Sequence, residues 1–415
     1  MTDLKSEITT AENKPTARAW LFVAMLCLVG CLNYLDRIMI TTMRSSIVES
    51  IPMTDGQFGL LTSAFLWVYG LLSPFAGYMA DRFNRSRVIV FSLLIWSVVT
   101  WLTAHASTFP ELLATRVLMG ISEACYIPAA LALISDYHRG STRSLATGLH
   151  MTGIMAGQSL GFIGGMLAEN HSWNYAFSLF GIVGIVYTLI LAPVLKDAPE
   201  RSDASDSGPE ASVNLMDGLA NLFRSAAFRR ALGFWGLLGV AGWMIVGWLP
   251  TFYKEHFNLS QSKAGLYATG YIHTVGLAGV LAGGWLADQW SSTNPRARLL
   301  VPALGMLVSA PCVFLGSTTP DLTIAIGCFM IYAFMKAFSD ANMMPILCLI
   351  ADPRYRATGY GILNFCSCII GGIGLYAAGF LRDGNIDLSI MFRLSALAML
   401  LCAGLLFSIR LQKDE

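Results

Sequence analysis

Residues 122–134 read "SEACYIPAALALI" and residues 339–351 read "SDANMMPILCLIA". The second is a version of the first. Ser122 aligns with Ser339, Glu123 with Asp340, Ala124 with Ala341 and Pro128 with Pro345. Each is an apolar run broken by one carboxylate. On insertion scales an acidic residue at the middle of a membrane helix costs about 2.5–3.5 kcal/mol. A cost carried at equivalent places in both halves of a chain points to a repeated architecture and to a use for the charge.

Other stretches repeat with it. "GYMADRFNRSR" (77–87) and "GWLADQWSSTNPRAR" (284–298) both give G-x-x-x-D followed by basic residues, 207 positions apart. "RSLATG" (143–148) is echoed by "RATGYG" (356–361).

The chain around these repeats is 415 residues long, 55% hydrophobic and only 13% charged, with mean hydropathy +0.59. Soluble domains carry nearly twice that charged fraction, so the class is membrane protein. Twelve windows are long and apolar enough to span a bilayer. They are 20–43, 57–79, 88–106, 110–135, 144–168, 172–195, 229–253, 264–287, 299–317, 321–350, 357–381 and 388–409. The first is too long for a signal-peptide core and has no A-x-A-like site after it.

Lys and Arg orient the chain. With both termini in the cytoplasm, 19 of the 27 fall on that side, four fall outside (Arg44, Lys254, Lys263 and Arg382), and four lie within spans. That bias fits the positive-inside rule. Residues 1–19 and 411–415 are then tails, 20–195 and 229–410 are two six-helix bundles, and 196–228 is a cytoplasmic linker. Its segment "KDAPERSDASDSGPEAS" (196–212) has the composition of a disordered chain. "VNLMDGLANLF" (213–223) has apolar residues at helical spacing and fits a helix on the inner membrane surface.

Several functions are excluded. A net charge of +1 gives nucleic acid no purchase. The nine cysteines show neither CxxC nor metal-ligand spacing and read as small buried hydrophobes. No P-loop, HExxH or GxSxG motif stands in a suitable context, so an enzyme or ATP-driven pump is not indicated and no cofactor is expected. No domain outside the membrane is large enough for a receptor.

Six ionisable residues inside spans carry the functional reading: Asp36 and Arg37 in helix one, Arg116 and Glu123 in helix four, Lys336 and Asp340 in helix ten. Seven residues make almost two turns, so Arg116 and Glu123 share a face about 10.5 Å apart along the axis. They are read as a functional pair, with Gly120 leaving room beside them. Asp36 and Arg37 point about 100° apart and cannot face one partner. Lys336 and Asp340 are i, i+4 neighbours, a spacing equally suited to helix stability and to transport. Polar and aromatic candidates beside them are Asn33, Tyr34, Tyr69, Tyr126, Gln158, Trp243, Tyr267, Tyr271, His273, Asn342 and Asn364. Tyr34 and Tyr126 are favoured because they neighbour the charges.

Over essentially its whole length the chain resembles the major facilitator superfamily, on the strength of "GYMADRFNRSR" (77–87) and "RVLMGISEA" (116–124). The resemblance implies an all-α membrane protein, two pseudo-symmetric six-helix bundles around a cavity opening alternately to each side. It further implies a monomer in the bacterial inner (plasma) membrane. "LNYLDR" (32–37) and "RVLMGISEACYIP" (116–128) are similar to the anion:cation symporter family, whose members move sugar acids and other organic anions with protons. Spinster-like lysolipid transporters share the Asp-Arg pair and the Arg–Glu spacing. A drug–proton antiporter is a third reading. Gly148, Gly157, Gly161 and Gly165 match the antiporter spacing, but Phe162 replaces its proline.

The expected mechanism is proton-coupled symport. A desolvated carboxylate takes a proton near neutral pH. Glu123 or Asp36 (with Asp340 the counterpart in the second half) would protonate from outside and release Arg116 or Arg37 to bind an anion bidentately. Na⁺ could replace H⁺. The expected substrate contacts are Arg37, Arg116, Tyr34, Tyr126, Lys336, Asn342 and Asn364. By the same resemblance Asp81, Arg82, Arg85, Arg143 and Asp288 are gate residues. The loop arginines also serve the positive-inside rule, and Asp288 stands apart from Arg296 and Arg298 in the sequence.

Overall fold

A computed structural model describes residues 17–138, 142–198 and 215–410. Among these, twelve helices or helix pairs are long and apolar enough to cross a membrane. They are span 1 (Ala17–Thr42), span 2 (Asp55–Ala76), span 3 (Arg85–Thr103), span 4 (Phe109–Tyr137), span 5 (Arg143–Asn170), span 6 (Trp173–Val194), span 7 (Ala226–His256), span 8 (Gln261–Ser291), span 9 (Ala297–Thr318), span 10 (Leu322–Ile350), span 11 (Thr358–Asp383) and span 12 (Leu388–Ser408). All twelve match the windows read from the sequence. Most of the linker expected to be disordered, and both tails, lie outside the described residues. The expected short helix spans Leu215–Arg224, with Leu222 buried against the second half.

Local chemistry sets the ends. Thr54 and Thr108 build capping boxes with Gln57 and Glu111, starting spans 2 and 4. Asp321 and Asp387 cap spans 10 and 12. Three spans are not continuous α-helix. Span 4 breaks at Cys125, three residues before Pro128. Span 5 breaks at Gly161, and span 8 contains a π-helical segment, Leu266–Tyr271.

Glycine sets how closely the spans approach. A Cβ on Gly153 or Gly157 of span 5 would collide with the backbone of Cys27 or Cys31 in span 1, one on Gly161 would collide with the Ile38 side chain, and one on Gly165 would press on Thr42. Gly148 faces nothing within 4 Å. Three of the four glycines in the antiporter-like spacing therefore serve packing of span 5 on span 1.

The halves meet chiefly along spans 2 and 11. Ser63 donates to the Gly372 carbonyl (2.7 Å) and Trp67 to that of Ile369 (3.1 Å). Gly59 and Gly70 lie against Leu375 and Cys368. These contacts begin at the face opposite the chain termini. Farther toward the arginine-rich face that holds the termini, Leu71 and Phe75 of span 2 and Tyr360 of span 11 are exposed. The cleft between the halves thus opens on the arginine-rich face and is closed on the far face.

Candidate substrate and coupling site

The charged residues of spans 1 and 4 come together, but in a different pairing from that read in the sequence. Glu123 bonds Arg37, through Nη2 at 2.8 Å and Nε at 3.2 Å. Arg116 instead donates to the Thr103 hydroxyl at 3.2 Å and sits over the Phe177 ring at 5.4 Å. Two turns of helix separate Arg116 from Glu123, too far for a direct bond, whereas span 1 crosses at the level of Glu123. Asp36 accepts from Thr100 at 3.2 Å, so it and Arg37 do serve different partners.

This is a deeply buried arrangement. Glu123 is 0% exposed, Arg37 6%, and Asp36 and Arg116 2% each. Arg37 is also held by rings: Tyr34, Phe65 and Tyr69 lie 4.3, 4.7 and 4.5 Å from its guanidinium carbon. Such cation–π contacts gain strength when desolvated. One oxygen of Glu123 (Oε1), one of Asp36 (Oδ1), Nδ2 of Asn33 and Nε of Arg116 are buried without a hydrogen bond to the protein. Buried polar atoms are nearly always bonded, so this neighbourhood has capacity for further hydrogen-bond partners. Each free carboxylate oxygen is a place for a proton.

Arg37 and Arg116 both line a small cavity between the halves, beside Thr41 and Thr62, with walls of Ile38, Ile40, Phe65, Leu66, Trp243, Val246 and Leu375. Phe65 and Thr62 were not singled out from the sequence. Neither a phenylalanine nor a lone threonine in an apolar span gives a signal until its neighbours are known.

Lys336 and Asp340 form the expected pair, Nζ to Oδ2 at 2.7 Å and to Oδ1 at 2.9 Å, with side chains 27% and 46% exposed. They stand in the open cleft rather than in the buried cluster. Tyr126 is buried in the packed interior of the first bundle. Its hydroxyl donates to the Leu26 carbonyl (2.8 Å) and its ring meets Trp96 and His150 edge-on. Asn342 is spent on the carbonyls of Phe338 and Gly283. Asn364 is half-buried in span 11.

At the arginine-rich face Arg85 pairs with Asp136. Asp288 does not stand apart: Arg298 reaches it at 2.9 Å, because the turn after span 8 folds back. Arg143 is exposed at the start of span 5, and Arg82 is exposed at the end of the second helix. The side chain of Asp81 lies outside the described residues. The far face holds a cluster that the sequence reading treated only as charge left outside. Arg44 pairs with Asp55 and with Glu255 (3.4 Å), and Arg382 pairs with the same two (both 2.9 Å). Asp383 accepts the first backbone N–H groups of span 2, from Asp55 and Gly56. The legible signal was that Arg382 stands at a span end beside Asp383.

A family model for the Major Facilitator Superfamily matches residues 26–375. The chain belongs to the major facilitator superfamily. It is a multi-pass membrane transporter working by alternating access, not an enzyme. Among its relatives, protein spinster homolog 1 of Xenopus tropicalis is 27% identical over 391 residues, 87% of this chain and 72% of the relative. The human protein of that name is 28% identical over 399 residues, 88% of this chain and 73% of the relative. An MFS-type efflux pump of Mycolicibacterium smegmatis is 27% identical over 385 residues, 91% and 87% of the two chains. Two solved structures share the fold. One is an inward-facing, unoccupied bacterial homologue of the human lysosomal transporter Spinster (TM-score 0.79, 22% identity, 95% of this chain and 96% of that one). The other is the nucleoside transporter NupG (TM-score 0.75, 12% identity, 94% and 99%).

Proposed function

We propose that this superfamily member is a proton-coupled symporter of organic anions, with Glu123 as the coupling carboxylate and Arg37 as the anion-binding group. One observation carries the reading: the buried Arg37–Glu123 pair, with a free carboxylate oxygen on one side and a cavity at the arginine on the other. Breaking a buried pair leaves an uncompensated charge, which is strongly unfavourable. Glu123 can therefore leave Arg37 only when a proton neutralises it and an anion replaces it. Proton and anion bind together, and each is expelled when the other departs. Arg116 lies at the same cavity and adds a second positive contact, while Asp36 provides an accessory proton site. The termini and the open cleft face the cytoplasm in this reading, with the chain a monomer in a bacterial plasma membrane. Loss of the proton inside restores the ion pair and releases the substrate.

A sugar acid and a lysolipid would both present an anionic group. The apolar cavity wall and the spinster relatives favour the lysolipid, because only Thr41 and Thr62 offer hydroxyls there and a sugar needs many hydrogen-bond partners. Proteoliposomes loaded with a pH-sensitive dye test both points. Addition of a transported lysolipid should acidify the interior as it enters, and sugar acids should leave the dye unchanged. Alkalinisation on addition would make the protein an antiporter, and acidification by sugar acids alone would assign the smaller anions.

A further inference from the structure

A second cavity lies on the far face, outside the coupling site. It is about 10 Å³, room for a single atom-sized ligand, between span 1, span 7 and the start of span 8. Its lining includes two cations, Arg44 and Lys254, and no carboxylate; the other polar groups are Thr41, Thr42, Ser45, Thr251 and Gln261. Most of those already have partners. Thr41 and Thr42 donate to the carbonyls of Ile38 and Met39. Gln261 accepts from the Ser46 N–H and donates to the Ser46 hydroxyl. What remains is two charged donors and one hydroxyl. Thr251 is 5% exposed, and its hydroxyl bonds nothing in the protein. Arg44 spends its two terminal nitrogens on Asp55 and Glu255 and keeps Nε buried without a partner. Lys254 forms no ion pair among the described residues, and Glu169, the acid that feels its charge, accepts the Ser262 N–H at 2.6 Å.

We propose that this cavity binds a monatomic anion, chloride by size and charge, held by Arg44, Lys254 and Thr251. The lining supplies two cations and a hydroxyl that can turn its hydrogen inward, a set that an anion matches in charge and a neutral water does not. An anion here ties the end of span 1 to span 7 and span 8, directly behind the Arg44–Asp55–Arg382–Glu255 cluster that closes the far face. It therefore stabilises the state open on the arginine-rich face. This site does not depend on the identity of the transported substrate or on the coupling proton.

Thermal unfolding of the full chain in nanodiscs, at constant ionic strength and sodium concentration, tests it. Chloride and bromide should raise the midpoint saturably by about 2–4 °C over gluconate, and sulfate, too large for the cavity, should not. The rise should vanish in Thr251→Val and in Lys254→Gln, each of which must melt as wild type does in gluconate to count as folded. If either variant melts lower in gluconate, bromide is located directly by anomalous diffraction from wild-type crystals, and density away from Thr251 and Lys254 rejects the site. A wild-type midpoint equal in chloride and gluconate rejects it too, as does an undiminished chloride effect in both folded variants.

Discussion

Glu123 and Asp340 occupy equivalent places in the two halves, yet live differently. Glu123 is fully buried and bonded across helices to Arg37, while Asp340 is half-exposed and bonded one turn back to Lys336 on its own helix. The repeat conserves where a carboxylate stands, not what it does. A pair within one helix survives any movement of the halves and is wetted by the cleft. A pair between helices, sealed from water and ringed by aromatics, is sensitive to a single proton. On the proposed mechanism, this asymmetry assigns the coupling to the first half.

Substitutions can break that contrast, the largest effect coming from Arg37→Ala. It leaves Glu123 buried without its cation and should cost about 3–5 kcal/mol of stability, measured by unfolding in nanodiscs. Arg37→Met combined with Glu123→Gln should recover most of the loss while leaving transport abolished, since it removes both charges rather than one. Next comes Gly157→Ala, which drives a methyl into the Cys31 carbonyl and pushes span 5 off the helix that carries Arg37. A loss of about 1–3 kcal/mol is expected. Gly148→Ala, with open space around it, should be neutral in the same assay. The smallest effect belongs to the second half. Asp340→Asn should change stability by less than about 1 kcal/mol, because a half-exposed i, i+4 pair is screened by water. Asp340→Asn should also keep pH-driven uptake within a few-fold of wild type.

How much of this was legible beforehand follows from the physics of each feature. Spans are long-wavelength signals, some twenty residues of apolar chain, and survive any ignorance of packing. The repeat and the six intramembrane charges are equally local. Pairing is not. Arg116 and Glu123 share a helical face, but the partner at the level of Glu123 comes from another helix whose rotation no local pattern records. Tyr126 follows Glu123 by three residues, a spacing that puts the two within about 60° on a continuous helix, but the helix breaks at Cys125 between them and the Tyr126 ring is buried in the bundle. The far-face cluster joins residues from the ends of four segments, and its carboxylates look like ordinary loop charges until those ends converge.

The central claim is that Glu123 carries the coupling proton by exchanging it for Arg37. It is tested most directly by Glu123→Gln in proteoliposomes, comparing uptake driven by an acid-outside gradient with counterflow exchange at equal pH. Glutamine holds the neutral state permanently, so exchange should persist while gradient-driven accumulation falls to the level of equilibration. Accumulation that still follows the pH gradient at the wild-type ratio would contradict the account.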